Sequence, residues 1–186
     1  MNILIRRMVQ NDMDMYRLCY KNAEFKHFIY GDKSIDIDAS FSKLLADSIQ
    51  SIESYVVLYK AKNEDSVYTY VGFCNFLKHQ KYPFETVVDT FAFNGGILPS
   101  LFNSGLGIYA CVSLLKLFFE RHPLSNLYAS TFKYNFRSAR MLSALGFNQM
   151  KEDWYVKNHF ILTKENFNHS ILSCHLLPRL NLVFEV

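Results

Sequence analysis

Two short stretches of this chain combine residue types and spacing that chemistry can use. The first is Ser104-Gly105-Leu106-Gly107-Ile108, which leads into an apolar helical pattern through Ala110, Cys111, Leu114, Leu117 and Phe118. Glycines at the start of a helix let backbone N–H groups approach an anion, and the helix dipole adds partial positive charge there. Such a loop can cradle a phosphate without a lysine. It is not a P-loop, because no Gly-Lys-Ser or Gly-Lys-Thr follows, and not a dinucleotide fingerprint, because the third glycine is missing. The same glycines also suit a plain tight loop. The second stretch, Asn135 to Phe147, starts about thirty residues later at another strand-to-helix junction. Asn135 reads as an N-cap, Ser138 falls on the first turn and Gly146 closes the helix. A simply capped helix is the other reading of this stretch.

Hydrophobic periodicity supplies the elements that must position both stretches. Residues 2–8 read as a strand. Residues 11–29 carry Met15, Leu18, Cys19, Ala23 and Phe25 at roughly helical spacing, with Asn11 or Asp12 to cap the start and Gly31-Asp32 to break the run. Residues 38–53 form a second helical pattern through Phe41, Leu44, Leu45, Ser48, Ile49 and Ile52. The runs 54–60 and 68–77 read as a β-hairpin turning at Asn63-Glu64-Asp65-Ser66. Residues 86–98 form another strand, whose paired Gly95-Gly96 signals a bulge or a close approach by another group. The helix after Gly107 ends at His122-Pro123. A short strand at 127–132, the helix from Asn135 and a strand candidate at 155–163 complete the order β-α-α-β-β-β-α-β-α-β. That order predicts a mixed α/β fold, an α+β sandwich of helices on a central sheet. One domain is expected over 1–168, followed by an apolar extension, 169–186, that packs on it or on a partner.

Composition sets the boundaries. With 186 residues, the chain is long enough for one core without staples. Aromatic content is high, with 17 Phe, 12 Tyr and 1 Trp, so a disordered chain is excluded. No apolar run approaches a membrane span. Twenty basic against seventeen acidic residues gives +3, and no Lys/Arg cluster is dense enough to mark nucleic acid as a partner. The opening Met1–Arg7 reads as a strand and not as a signal peptide, so the cytoplasm is the expected location. Cys19, Cys74, Cys111 and Cys174 form no CxxC pair and are read as reduced, buried small hydrophobes, with no metal site.

Taken together, the two stretches resemble the acyl-CoA-binding motifs of the GNAT superfamily of N-acetyltransferases. The second is complete: Asn135-x-x-Ser138, seven residues, then Gly146-Phe147. The element order and the opening Ile5-Arg6-Arg7-Met8 strand are similar too, over about residues 2–168. Ser138 with Leu142, where other members have Tyr, looks like the branch of ribosomal-protein N-terminal acetyltransferases, which also holds enzymes acting on antibiotics and amino sugars. The resemblance implies a mostly antiparallel central sheet. It implies that Ser104, Gly105, Leu106, Gly107 and Ile108 hold the CoA pyrophosphate. By the same resemblance the backbone of Ile97 and Leu98 pairs with pantetheine beside a bulge at Gly95-Gly96. Asn135 and Ser138 then face the pantetheine arm and the sulfur, with Arg140 within reach of a phosphate. Three features depart from the pattern: Ser104 stands where Gln or Arg is usual, Tyr109 replaces a small residue beside the loop, and two extra residues separate Pro99 from the glycines.

The implied activity is transfer of an acetyl group from acetyl-CoA to the primary amine of a small molecule or a peptide N-terminus. Ser138 is the candidate donor to the leaving sulfur. Asp89, with Glu85 nearby, is the candidate base, His27, His79 and His159 being alternatives; its other reading is a solvated strand-edge charge. Tyr30 and His27 are candidate acceptor contacts, within an aromatic set, Tyr16, Tyr20, Phe25 and Phe28, that can equally be core. A homodimer is compatible with all of this. The competing readings are an acyl-CoA-binding module without turnover and a transferase using a longer acyl chain or an alcohol acceptor.

Overall fold

The structure is a computed structural model and describes residues 2–31, 34–47, 52–61, 67–78, 89–151 and 156–185, the side chains of Tyr30 and Asp47 excepted. The strands are β1 (Asn2–Arg7), β2 (Ile52–Lys60), β3 (Thr69–Lys78), β4 (Thr90–Ile97), β5 (Asn126–Phe132), β6 (Asn148–Gln149), β7 (Lys157–Leu162) and β8 (Asn181–Glu185). The helices are α1 (Met13–Lys21), α2 (Ala23–Tyr30), α3 (Ile37–Asp47), α4 (Leu106–Arg121), α5 (Phe136–Ala144), α6 (Lys164–Asn168) and α7 (Ile171–Leu176). All eight strands form one sheet, ordered β6-β7-β5-β4-β3-β2-β1-β8. Its neighbours are antiparallel except β4 with β5 and β1 with β8.

Alternation along the strands sends side chains to two apolar layers. Leu4, Val56, Leu58 and Phe73 meet Met15, Tyr16, Cys19, Tyr20, Phe25 and Phe41 of α1–α3. Ile3, Ile5, Val57, Phe76, Phe91, Leu127 and Phe160 meet α4, Leu142 of α5 and Phe167 of α6 on the other face. Helix α4 is buried along most of its length, which explains its nearly unbroken apolar sequence. No helix among the described residues is long and apolar enough to cross a membrane.

The run 11–29 is two helices, not one. Asn22 is extended, and its side chain accepts from the Phe25 N–H to cap a fresh start for α2. Before α1, the fully buried Asp12 receives both Arg6 guanidinium nitrogens at 2.7 and 2.8 Å, the Tyr70 hydroxyl at 2.5 Å and the Val9 N–H at 2.8 Å. Burial opposes its ionisation, but these donors outweigh burial and hold the carboxyl below its ordinary range. The second helical pattern is described as α3 up to Asp47, and Ile52, expected at its end, opens β2; residues 48–51 lie outside the described residues. Residues 171–185 lie within the same fold. Leu172 and Leu176 of α7 and Leu182 and Phe184 of β8 pack against the larger core, and β8 runs parallel to β1.

The bulge expected at Gly95-Gly96 is not there. Both residues pair regularly with Cys74 and Phe73, and the irregularity lies instead between Val57 and Leu58 against β3. The glycines answer close approach. A Cβ on Gly95 would meet the Phe73 carbonyl oxygen at 2.5 Å, and one on Gly96 would meet the Phe25 ring at 2.2 Å.

The sheet opens at one place. β4 pairs with β5 only through Thr90, Phe91 and Ala92. Beyond Ala92, β4 stays with β3 as far as Ile97, while β5 follows β7 to Phe132. The two parallel strands part, and a cleft runs through the sheet between their C-terminal ends. Ligands of open α/β sheets favour such a place.

Candidate functional site

Each diverging strand feeds a helix whose N-terminus faces the cleft. After β4, Asn103 (φ 63°) and Gly105 (φ 82°) are left-handed and turn the chain sharply into α4. The Ser104 hydroxyl donates to the Leu101 carbonyl at 2.7 Å and accepts from the Leu106 N–H at 3.2 Å. Ser104 thus stabilises the loop from outside instead of reaching into the cleft. After β5, Asn135 is buried and accepts from the Ser138 N–H at 3.2 Å as the cap of α5. Gly107 lets α4 sit down on β4: a Cβ there would lie 2.0 Å from Ile97 Cδ1.

The cleft holds a cavity of about 720 Å³. Gly105, Gly107 and Ile108 of α4, Asn135, Ser138 and Arg140 at α5, and Ile97 of β4 all line it. The structure therefore brings together seven of the residues singled out from the sequence. Leu106, Ser104 and Tyr109 are not among the lining residues. Leu98 turns its N–H to the Val71 carbonyl, 2.8 Å away, so that group is committed to β3. Successive backbone groups of a strand point to opposite edges. The Ile97 N–H therefore faces the open edge toward β5.

Asp89 is elsewhere. It precedes β4 at the end remote from the cleft, about 25 Å from Ile97 at strand rise, and is exposed and paired with Lys78 at 2.9 Å. Its strand-edge reading is the one the structure supports, and the assignment as base is corrected. Glu85 and His79 lie outside the described residues. His159 is buried beside Tyr128, to which it is hydrogen-bonded. His27 is not a lining residue; its ring stacks on Tyr134 at 4.6 Å, and the Tyr134 hydroxyl donates to the His27 carbonyl at 2.9 Å. The Tyr30 side chain lies outside the description. Of the aromatic set, Tyr16 and Tyr20 are core, while Phe25 and Phe28 line the cavity.

The structure adds residues that sequence reasoning missed. Glu24 at the start of α2 lines the mouth and pairs with Arg137 of α5 at 3.3 Å, joining elements from opposite faces of the sheet. Phe102, Phe73, Met141 and Cys111 complete the walls. The i, i+4 spacing of Glu24 and Phe28 was the available signal for a shared helix face. Cys74 and Cys111 also line the cavity, and burial pushes the Cys111 thiol up to about 12 and Cys74 well above its ordinary value. Both thiols stay protonated, so they serve as apolar wall and not as nucleophiles. Cys174, expected buried, is exposed; all four cysteines are free.

Comparisons with known proteins now bear on this arrangement. No curated protein sequence matches the chain. Among solved structures, spermidine N-acetyltransferase from Vibrio cholerae, in complex with CoA and spermine, superposes with a TM-score of 0.69 at 13% identity, covering 89% of this chain and 97% of its own. Aminoglycoside acetyltransferase AAC(6')-Ib, in complex with coenzyme A and kanamycin, gives 0.67 at 15% identity, covering 89% and 97%. A domain from Methanocaldococcus jannaschii DSM 2661 gives 0.67 at 19% identity, covering 86% and 97%. At these identities the likeness is one of fold. The profile of the acetyltransferase (GNAT) domain matches residues 2–148, most of the sequence, and the chain therefore belongs to the GNAT acetyltransferase family.

Proposed function

We propose that this chain transfers an acetyl group from acetyl-CoA to a primary amine of a small molecule or a peptide N-terminus, by direct attack on the thioester. One observation carries the reading: the N-termini of α4 and α5 face the same cavity at the point where β4 and β5 part. The donor fits the residues present. A Cβ on Gly105 would meet nothing within 4 Å, so open space lies beside the loop for a phosphate. Arg140 adds positive charge, and Glu24 is matched by Arg137. Beyond these polar ends the channel is apolar, as the pantetheine arm requires. Bound acetyl-CoA supplies an activated acyl carbon and a thiolate leaving group.

The chain's own groups do the rest. The Ile97 N–H, aimed at the open edge of β4, donates to the carbonyl oxygen as negative charge builds there. Ser138, half-buried on the first turn of α5, donates to the departing sulfur. Leu142 is buried in the core and takes no part. The α1–α3 face leaves room for the acceptor on the side away from α4 and α5. The Asn135-x-x-Ser138 motif with Leu142 supports placement near the ribosomal-protein N-terminal acetyltransferases. Calorimetric titration with acetyl-CoA, followed by acceptor-dependent thiol release, tests the reading. Binding at roughly micromolar affinity with turnover supports it. Affinity without turnover turns it into a binding module, and absence of binding removes it.

A further inference from the structure

We infer that the acceptor is a small primary monoamine carried on an aromatic or aliphatic body, not a polycation; the inference rests on the acetyl-transfer reading above. The donor's polar ends are assigned to the helix N-termini of α4 and α5, which leaves the acceptor the chamber on the α1–α3 face. Apart from Glu24, its described walls are largely hydrocarbon. Phe25, Phe28 and Ile29 come from α2, Phe73 from β3 and Phe102 from the loop before α4. Phe25 is fixed there: its ring is buried, lies edge-on to Tyr20 at 5.0 Å between centroids and covers Gly96.

The charge count points the same way. Among the described residues that line the cavity, Glu24, Arg137 and Arg140 carry charge. Glu24 and Arg137 pair at 3.3 Å, and Arg140 is assigned to the donor, so Glu24, the carboxylate of this set, is already engaged. A polyamine or aminoglycoside entering this chamber finds, among the described lining residues, no carboxylate besides the already paired Glu24 for its second and third ammonium groups. Their desolvation among phenyl rings goes uncompensated. A monoamine has no second ammonium to leave uncompensated. Its apolar body replaces water on the rings. Its single ammonium is destabilised by the same surroundings, which lowers its pKa and favours the neutral nucleophile. Desolvation thereby does the work for which Asp89 is too remote.

The experiment measures kcat/KM by thiol release with saturating acetyl-CoA for 2-phenylethylamine, hexylamine, spermidine, kanamycin and a short peptide amide. The monoamines are expected to exceed the polycations and the peptide by at least about tenfold. Phe28→Glu, at a half-buried rim position, is expected to lower the 2-phenylethylamine value by about tenfold and raise that of spermidine, with KM for acetyl-CoA unchanged. Spermidine, kanamycin or the peptide equal to or above the monoamines overturns the inference. If no acceptor gives turnover, calorimetry with CoA present decides it independently. Tighter binding of 2-phenylethylamine than of spermidine supports it, and the reverse order, or binding of neither, overturns it. Lack of turnover counts against acetyl transfer alone, so the two failures are told apart.

Discussion

Gly96→Ala puts the packing of α2 on β4 to a quantitative test. Gly96 has no left-handed backbone, so on conformational grounds alone an alanine there would stabilise the fold by about 0.4–1 kcal/mol through the unfolded chain. The contact reverses that sign. The new methyl would lie 2.2 Å from two atoms of the Phe25 ring, whereas carbon atoms rest at about 3.5–4.0 Å. The ring or the helix must retreat by more than about 1 Å. The ring is buried against Tyr20 and Phe73, so a retreat disturbs those contacts. Overpacking of this kind costs about 1–3 kcal/mol. For a chain of this length that is a fall in Tm of roughly 2–12 °C. Because Phe25 walls the acceptor chamber, kcat should fall as well, by up to about a hundredfold for a shift near 1 Å. Phe25→Ala makes the double variant informative. It costs about 3–5 kcal/mol alone but leaves room for the methyl, so adding Gly96→Ala to it should cost nothing further. Differential scanning calorimetry and thiol release on the four proteins read both effects. A Tm for Gly96→Ala equal to or above wild type would refute the reasoning, and so would strict additivity in the double variant.

Other outcomes follow from the same structure. Ser138→Ala is expected to lower kcat by roughly ten- to a thousand-fold with little change in acetyl-CoA affinity; an unchanged kcat removes Ser138 from the mechanism. Asp12→Asn strands the Arg6 guanidinium and should cost about 3–5 kcal/mol by urea unfolding at neutral pH. The native carboxyl of Asp12 titrates below the unfolded one, so its contribution is complete above about pH 4 and is lost as pH falls through the lowered native value. The gap between wild type and Asp12→Asn should therefore narrow in acid, and a constant gap down to pH 2 would contradict the assignment. A disulfide reagent at neutral pH should label Cys174 rapidly and the other three thiols only on unfolding; fast labelling of Cys111 would show the cavity wall to be more open than described.

The donor half of the site was legible because its information is local. Glycines at a helix start and Asn135 three residues before Ser138 are features of one turn, and one turn of sequence encodes them. The acceptor half depends on how remote elements dock, which spacing does not express. Asp89 shows the difficulty: the alternation of β4 tells which face a residue takes, not which end of the strand reaches the cleft. Glu24 becomes part of the site only because α2 lies against the β5–α5 turn, and that contact joins residues more than a hundred positions apart. Gly95-Gly96 offered two physical explanations, and only the position of the Phe25 ring chooses between them. The pairing of β8 with β1 was beyond local pattern for the same reason.

That last pairing has a consequence in time. The outer edge of β1 is covered by β8, which is made more than 170 residues later. While the chain is being synthesised, the backbone donors and acceptors on that edge have no strand to meet, although Ile3 and Ile5 can already be drawn into the core. An open strand edge of this kind recruits whatever extended chain is nearby, including another nascent copy. Slow synthesis or premature release before residue 181 should therefore yield aggregates rather than a slightly weakened enzyme.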